Sequence, residues 1–214
     1  MKVDILEVRD ILGIRKYWKG VDSLEIEEAY ELVENSLSPN RLQHTLSVVK
    51  WALELSKKHG VEEKKAHLAA LLHDLKKEVD KNKQLEYAKK WGIIKFKEDL
   101  ENPHILHGPL AAYWLEYYKG YKDKEVLRAI AHHTLGAPGM GILEMLIYSA
   151  DLTEETRNYP QVDKLRQSLY DNLEQGTLAC MEHTIAYLKK TKRPIHPQTR
   201  LAYEDLKRRT QFAK

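Results

Sequence analysis

Residues 67–78 read His-Leu-Ala-Ala-Leu-Leu-His-Asp-Leu-Lys-Lys-Glu, and they set the terms for the rest of the chain. An apolar run, Leu68 to Leu72, leads into adjacent His73 and Asp74, with Lys77 one turn on. A carboxylate in apolar surroundings is costly unless something pairs with it. A buried ion pair between Asp74 and Lys77 is the plain solution. A metal ion is the other, because His and Asp together are common ligands.

Working outward, the spacing predicts an all-α protein. Asp22 with Glu25 makes a capping box for a helix to about Leu37. Ser38-Pro39 starts a second, which runs to Gly60 with Leu42, Leu46, Val49 and Leu53 at helical period. A third, about 62–79, carries the opening stretch, and a fourth covers about 81–91. Residues 93–103 read as a loop. Further helices fall at about 107–118, 123–133 and 142–153. Two more span 161–190, divided or kinked near Gly176, and the tail from Pro194 begins extended and turns helical. No alternating run supports a sheet. One helical domain over 22–214 is expected, with residues 1–21 as an extension of no assignable role.

Composition excludes several classes. Hydrophobic residues are 43% and charged residues 31% of 214, which describes a folded globular chain. A net charge of +3 gives no electrostatic argument for nucleic acid, and Lys189, Lys190, Lys192 and Arg193 read as a solvated helix end. Cys180 stands alone, so no disulfide framework exists and a reducing compartment is expected. No secretory leader or membrane span is legible. The expected location is the cytoplasm, with no membrane partner; a homodimer is left open.

Four more residues share the character of His73 and Asp74. His44 lines up with Val48, Trp51 and Leu55 on the second helix, as a hydrogen-bonded core histidine or a ligand. His107 lines up with Leu110, Ala111 and Trp114; His104 falls in the preceding loop. His133 follows the apolar face of Val126, Ala129 and Ile130, whereas His132 follows Glu125 and Arg128 and should be at the surface. Asp151 closes an apolar helix, as a backbone cap or a ligand. One buried polar group is ordinary, but six without partners would be ruinous. Metal ligation resolves all six, and a nitrogen and oxygen donor set without sulfur suits one or two ions of iron, manganese or zinc.

At these residues the chain resembles the HD-domain metal-dependent phosphohydrolases, and within them the bacterial symmetrical diadenosine tetraphosphate hydrolases, the YqeK family. The resemblance covers about 24–210. It rests on Arg41-x-x-His44-Thr45, His73-Asp74-x-x-Lys77 and Leu106-His107-Gly108-Pro109. It continues through Ala129-Ile130-x-x-His133-Thr134, Gly136, Pro138-Gly139-Met140, and Ala150-Asp151-x-x-Glu154-x-x-Arg157. The chain departs from the family pattern at Ala137, where Arg is common, and at Leu152-Thr153 and Glu155 around the glutamate.

The resemblance implies an HD-type helical bundle. It implies a di-iron centre held by His44, His73, Asp74, His107, His133 and Asp151, with Asp74 bridging. The implied activity is cleavage of diadenosine tetraphosphate to two ADP by a hydroxide activated by two metal ions. Asp74, Lys77 and Glu154 would carry catalysis, with Lys77, Thr134 and Arg157 on the phosphates. Glu154 stands either as an orienter or as a proton acceptor. Thr134 as a helix terminator and Arg157 as a surface residue are the plainer readings. Another nucleotide substrate, such as a nucleoside monophosphate, and a silent nucleotide-binding module are the competing functions.

Overall fold

The computed structural model describes residues 26–212, so the expected capping box at Asp22 and Glu25 lies outside the described residues. Among the described residues every regular element is helical, as expected: α1 Ile26–Glu34, α2 Pro39–His59, α3 Glu63–Leu72, α4 Lys81–Lys90 and α5 Lys97–Glu101. A 3₁₀ turn, Pro103–Leu106, leads into α6 His107–Tyr118. The remainder are α7 Lys124–His132, α8 Ile142–Thr153, α9 Val162–Asp171, α10 Leu173–Lys190 and α11 Pro197–Phe212.

The long α2 forms as its ends dictate. Ser38 Oγ accepts the Arg41 N–H, Pro39 opens the first turn, and Gly60 closes the helix at φ 67°. Leu42, Leu46, Val48, Val49, Ala52 and Leu55 bury one side of it. That face packs on α3 and α8; α3 also meets α7, and α6 lies along α7. The fully buried run Ala69 to Leu72 makes α3 the centre of the core.

Three elements differ from expectation, each through a side chain taking over backbone hydrogen bonding. First, α3 ends at Leu72 and does not continue to Val79. The Ala70 carbonyl, which would accept the Asp74 N–H in a continuing helix, instead accepts His73 Nδ1–H at 2.6 Å. Residues 73–79 then follow tight turns, such as Lys77 N–H to Asp74 O at 2.8 Å. Second, 93–103 is not a plain loop, because Asp99 collects the N–H groups of Lys95 and Phe96 at 2.8 and 2.9 Å and starts α5. Third, the break in 161–190 falls at Asn172, whose Oδ1 caps α10 by accepting Gln175 N–H. Gly176 is instead a contact point: a Cβ there would lie 2.5 Å from the Leu169 Cα, so α9 and α10 approach at that residue.

His67, first residue of the stretch that ends in His73 and Asp74, is buried, with Nε2 3.1 Å from the Tyr30 hydroxyl. Burial lowers its pKa from 6.5 to about 4, so the ring is neutral when folded. Above pH 6.5 both states are neutral; as pH falls from 6.5 toward 4, only the unfolded chain takes up the proton. Stability is therefore lost across that window, by roughly 2 kcal/mol at pH 5. Urea unfolding of wild type and His67→Gln at pH 7.5 and pH 5 checks this. The wild type should lose about that much more than the variant on acidification; parallel losses would contradict it.

No helix among the described residues is long and apolar enough to cross a membrane.

Candidate metal centre

Four imidazoles converge on one region, and each is aimed in the same way. His73, at the end of α3, donates Nδ1–H to Ala70 O at 2.6 Å. His107, opening α6, donates to His104 O at 2.6 Å, and His133, closing α7, donates to Ile130 O at 2.8 Å. A carbonyl can only accept, so Nδ1 carries the proton and Nε2 of the neutral ring is left as a bare lone pair. His44 turns Nδ1 toward a carboxylate, 3.2 Å from Glu154 Oε1, and although burial opposes its charge, Asp151 and Glu154 together raise its pKa above the ordinary imidazole value. Gly108 keeps α6 and α7 close: a Cβ there would meet Ile130 O at 2.7 Å and the His133 ring at 3.0 Å.

The Nε2 atoms divide between the two oxygens of Asp74. Oδ1 lies 3.0 Å from His107 Nε2 and 3.7 Å from His133 Nε2. Oδ2 lies 3.5 Å from His73 Nε2 and 3.9 Å from His44 Nε2. Asp151 Oδ1 joins the second group, 3.0 Å from His44 Nε2 and 4.0 Å from His73 Nε2. These short separations are convergence and not pairing. His107 Nε2 and His133 Nε2 are 2.9 Å apart, yet a neutral ring has no proton to place between them. His44 Nε2, His73 Nε2 and Asp74 Oδ1 are buried and, among the described residues, have no hydrogen-bond partner of acceptable angle. Two groups satisfy the geometry of a metal site, His44 with His73 and Asp151, and His73 with Asp74 and His133.

Burial alone would raise the Asp74 carboxyl, and it is held below its ordinary range where the imidazoles of His73, His107 and His133 offer it positive charge or an Nε2–H, the part a metal cation would take in their place. Burial opposes ionisation of Asp151 too, and His44 outweighs it, so this carboxyl is also lowered. Burial lowers His107 to about 4, which keeps its ring neutral. Burial also pushes Glu154 up, but His44, Ser47 and Thr156 bring it down to about 2.

The HD domain family matches residues 41–176, which holds all six candidate ligands. The chain belongs to the HD domain family. HD proteins called symmetrical bis(5'-nucleosyl)-tetraphosphatases are similar over most of their length. The one from Halalkalibacterium halodurans is 36% identical over 84% of this chain and 95% of its own. The one from Bacillus subtilis is 35% identical over 83% and 95%. Among solved structures, an HD superfamily hydrolase of Clostridium acetobutylicum, described as involved in NAD metabolism, superposes with a TM-score of 0.82 at 30% identity. It covers 87% of this chain and 99% of its own. The resemblance and the all-α HD fold expected from the motifs are thus borne out.

Around the HD cluster the structure sorts the remaining expected residues. Lys77 Nζ lies 3.3 Å from His107 Nε2 and 3.7 Å from Asp74 Oδ1. Thr134 Oγ lies 3.1 Å from His133 Nε2. Arg157 is not a free surface residue, since its Nη2 donates to Asp151 Oδ1 at 3.0 Å and its Nε to Asp151 O at 3.1 Å. Glu154 is fully buried and accepts from Ser47 Oγ, Thr156 N–H and Thr156 Oγ at 2.5 to 2.6 Å, besides His44. His104 is exposed and contributes only its carbonyl.

His132, expected at the surface, is half-buried, with Nδ1 2.6 Å from Glu144 Oε1, where Arg128 also donates. Cys180 is buried, and burial pushes its thiol up to about 12, which removes it as a nucleophile. Two neighbours carried no assigned role in the sequence. Arg41 Nη1 donates to Asp74 Oδ2 at 3.0 Å, and Ser47 backs Glu154. Both lie one turn from His44 on α2, and that spacing was the available signal.

Proposed function

We propose that this protein hydrolyses dinucleoside tetraphosphates symmetrically, diadenosine tetraphosphate giving two ADP, at a centre of two metal ions bridged by Asp74. The observation that carries the reading is the division of Asp74, with Oδ1 facing His107 and His133 and Oδ2 facing His44, His73 and Asp151. The tetraphosphatase names of the full-length relatives support the substrate class. The donor set suits iron, manganese or zinc, and the family resemblance favours iron among them. When bound, such ions lower the pKa of water and neutralise charge on phosphoryl oxygens.

The chain's own residues supply the rest. His44, His73, His107 and His133 would offer their Nε2 atoms to the ions, because their Nδ1 atoms are committed to a carboxylate or to backbone carbonyls. Glu154 orients His44 and, with four donors on a buried carboxylate of pKa about 2, is a poor proton acceptor. This favours the orienter over the proton acceptor left open in the sequence. Lys77 and Arg157, each about one-third exposed at 32% and 38% beside Asp74 and Asp151, would donate to the phosphate chain. The Thr134 hydroxyl adds a neutral donor beside them. In the reaction the oxygen of water forms a bond to an inner phosphorus, the central P–O–P bond breaks, and the bridging oxygen leaves with the other nucleoside diphosphate.

Iron-loaded protein tested on a nucleotide panel, with products separated chromatographically, examines the proposal. Two ADP for each diadenosine tetraphosphate is the expected result. Release of ATP with AMP, or cleavage of a nucleoside monophosphate while the tetraphosphate survives, would overturn it.

A further inference from the structure

The two halves of the centre are held by different means. His107 and His133 are fixed locally, each by a carbonyl three residues back on its own chain. On the other side His73 is also fixed locally, by Ala70 O, but His44 depends on Glu154 and Asp151 on Arg157, both from the turn that follows α8. The start of that turn is tied down independently. Trp51 Nε1 donates to Thr153 Oγ at 3.0 Å, and Tyr159 Oη donates to Leu152 O at 3.0 Å.

Beyond Thr153 the carbonyls converge on one side chain of α9. Arg166 Nε donates to Thr153 O at 2.7 Å, and its Nη2 donates to Glu154 O at 2.7 Å and Arg157 O at 3.0 Å. These carbonyls include the unsatisfied C-terminal end of α8, where a cation is favoured by the helix dipole as well. The Arg166 side chain is 24% exposed, and only its Nη1 turns outward, to Asp163 at 2.7 Å. A planar fork reaching three oxygens fixes both the position and the tilt of the turn, which a lysine ammonium cannot reproduce.

We infer that Arg166 is a positioning residue for one half of the metal centre, setting Glu154 against His44 and Arg157 against Asp151. The inference rests on the two-ion reading above. It makes affinity at the His44–His73–Asp151 half depend on a residue that touches none of the ligands, while the His107–His133 half does not.

Manganese titration of metal-stripped, full-length protein tests this, with free Mn²⁺ followed by electron paramagnetic resonance and melting temperature recorded alongside. Wild type should take up two ions. Arg166→Gln and Arg166→Lys should keep one ion at wild-type affinity and bind the other about 10- to 100-fold more weakly. Asp163→Asn, which removes only the exposed partner, should bind both as wild type does. Should Arg166→Gln fail to fold, Arg166→Lys carries the same comparison. A lower melting temperature with both affinities intact would show a merely structural role and overturn the inference, as would equal weakening of both ions. Uptake of a single ion by wild type would overturn the two-ion reading itself, a result distinct from failure of the Arg166 assignment alone.

Discussion

Replacing Asp74 with alanine is expected to remove tetraphosphate hydrolysis and to strip the protein of metal together. The two oxygens of Asp74 face both histidine groups, so its loss is expected to open both halves of the site. The fall in kcat should exceed the roughly 10²- to 10³-fold that accompanies loss of one stabilising donor, because two ions and not one hydrogen bond are affected. The metal-free variant should still fold. Arg41, the cation left behind, is about one-third exposed and can return to water. Metal analysis with turnover on the same preparation is the check. An Asp74→Ala protein that retains full metal and full activity would remove the site assignment.

The second large effect is expected at Lys77. The sequence alone allowed two roles, an ion pair with Asp74 or a contact to phosphate. The geometry makes the ion pair a loose one: Nζ is 3.7 Å from Asp74 Oδ1, longer than a hydrogen bond, on a side chain 32% exposed. A pair of that kind contributes less than about 1 kcal/mol. Lys77→Ala should therefore melt close to wild type and keep its metal. Its kcat should drop about 10²- to 10³-fold if, as proposed, the ammonium donates to the phosphate chain whose P–O–P bond breaks. Melting, metal content and steady-state kinetics measured together decide the matter. Loss of metal with a modest change in kcat would return Lys77 to the ion-pair role.

The helix face written into the sequence put His133 inward correctly, but His132 is not at the surface, because Glu144 of α8 meets it and half-buries it. The six candidate ligands converge in space, and motif order along the chain was enough to collect them. What escaped the sequence was settled by partners distant in the chain or by side chains competing with the backbone. His67 is inward because Tyr30 of α1 meets it, a contact 37 residues away that helical period in α3 cannot report. The end of α3 at Leu72 follows from His73 capturing the Ala70 carbonyl, whereas residue propensities through Lys76 and Lys77 favour continuing the helix. Glu154 lay undecided between two roles until its burial and its donors were known.

The central claim is that Asp74 bridges two ions, and anomalous scattering at the iron edge from crystals of iron-loaded protein tests it most directly. The account predicts two peaks, one against Asp74 Oδ1 with His107 and His133, the other against Asp74 Oδ2 with His44, His73 and Asp151. A single peak, or peaks that leave one Asp74 oxygen without an ion, would contradict it.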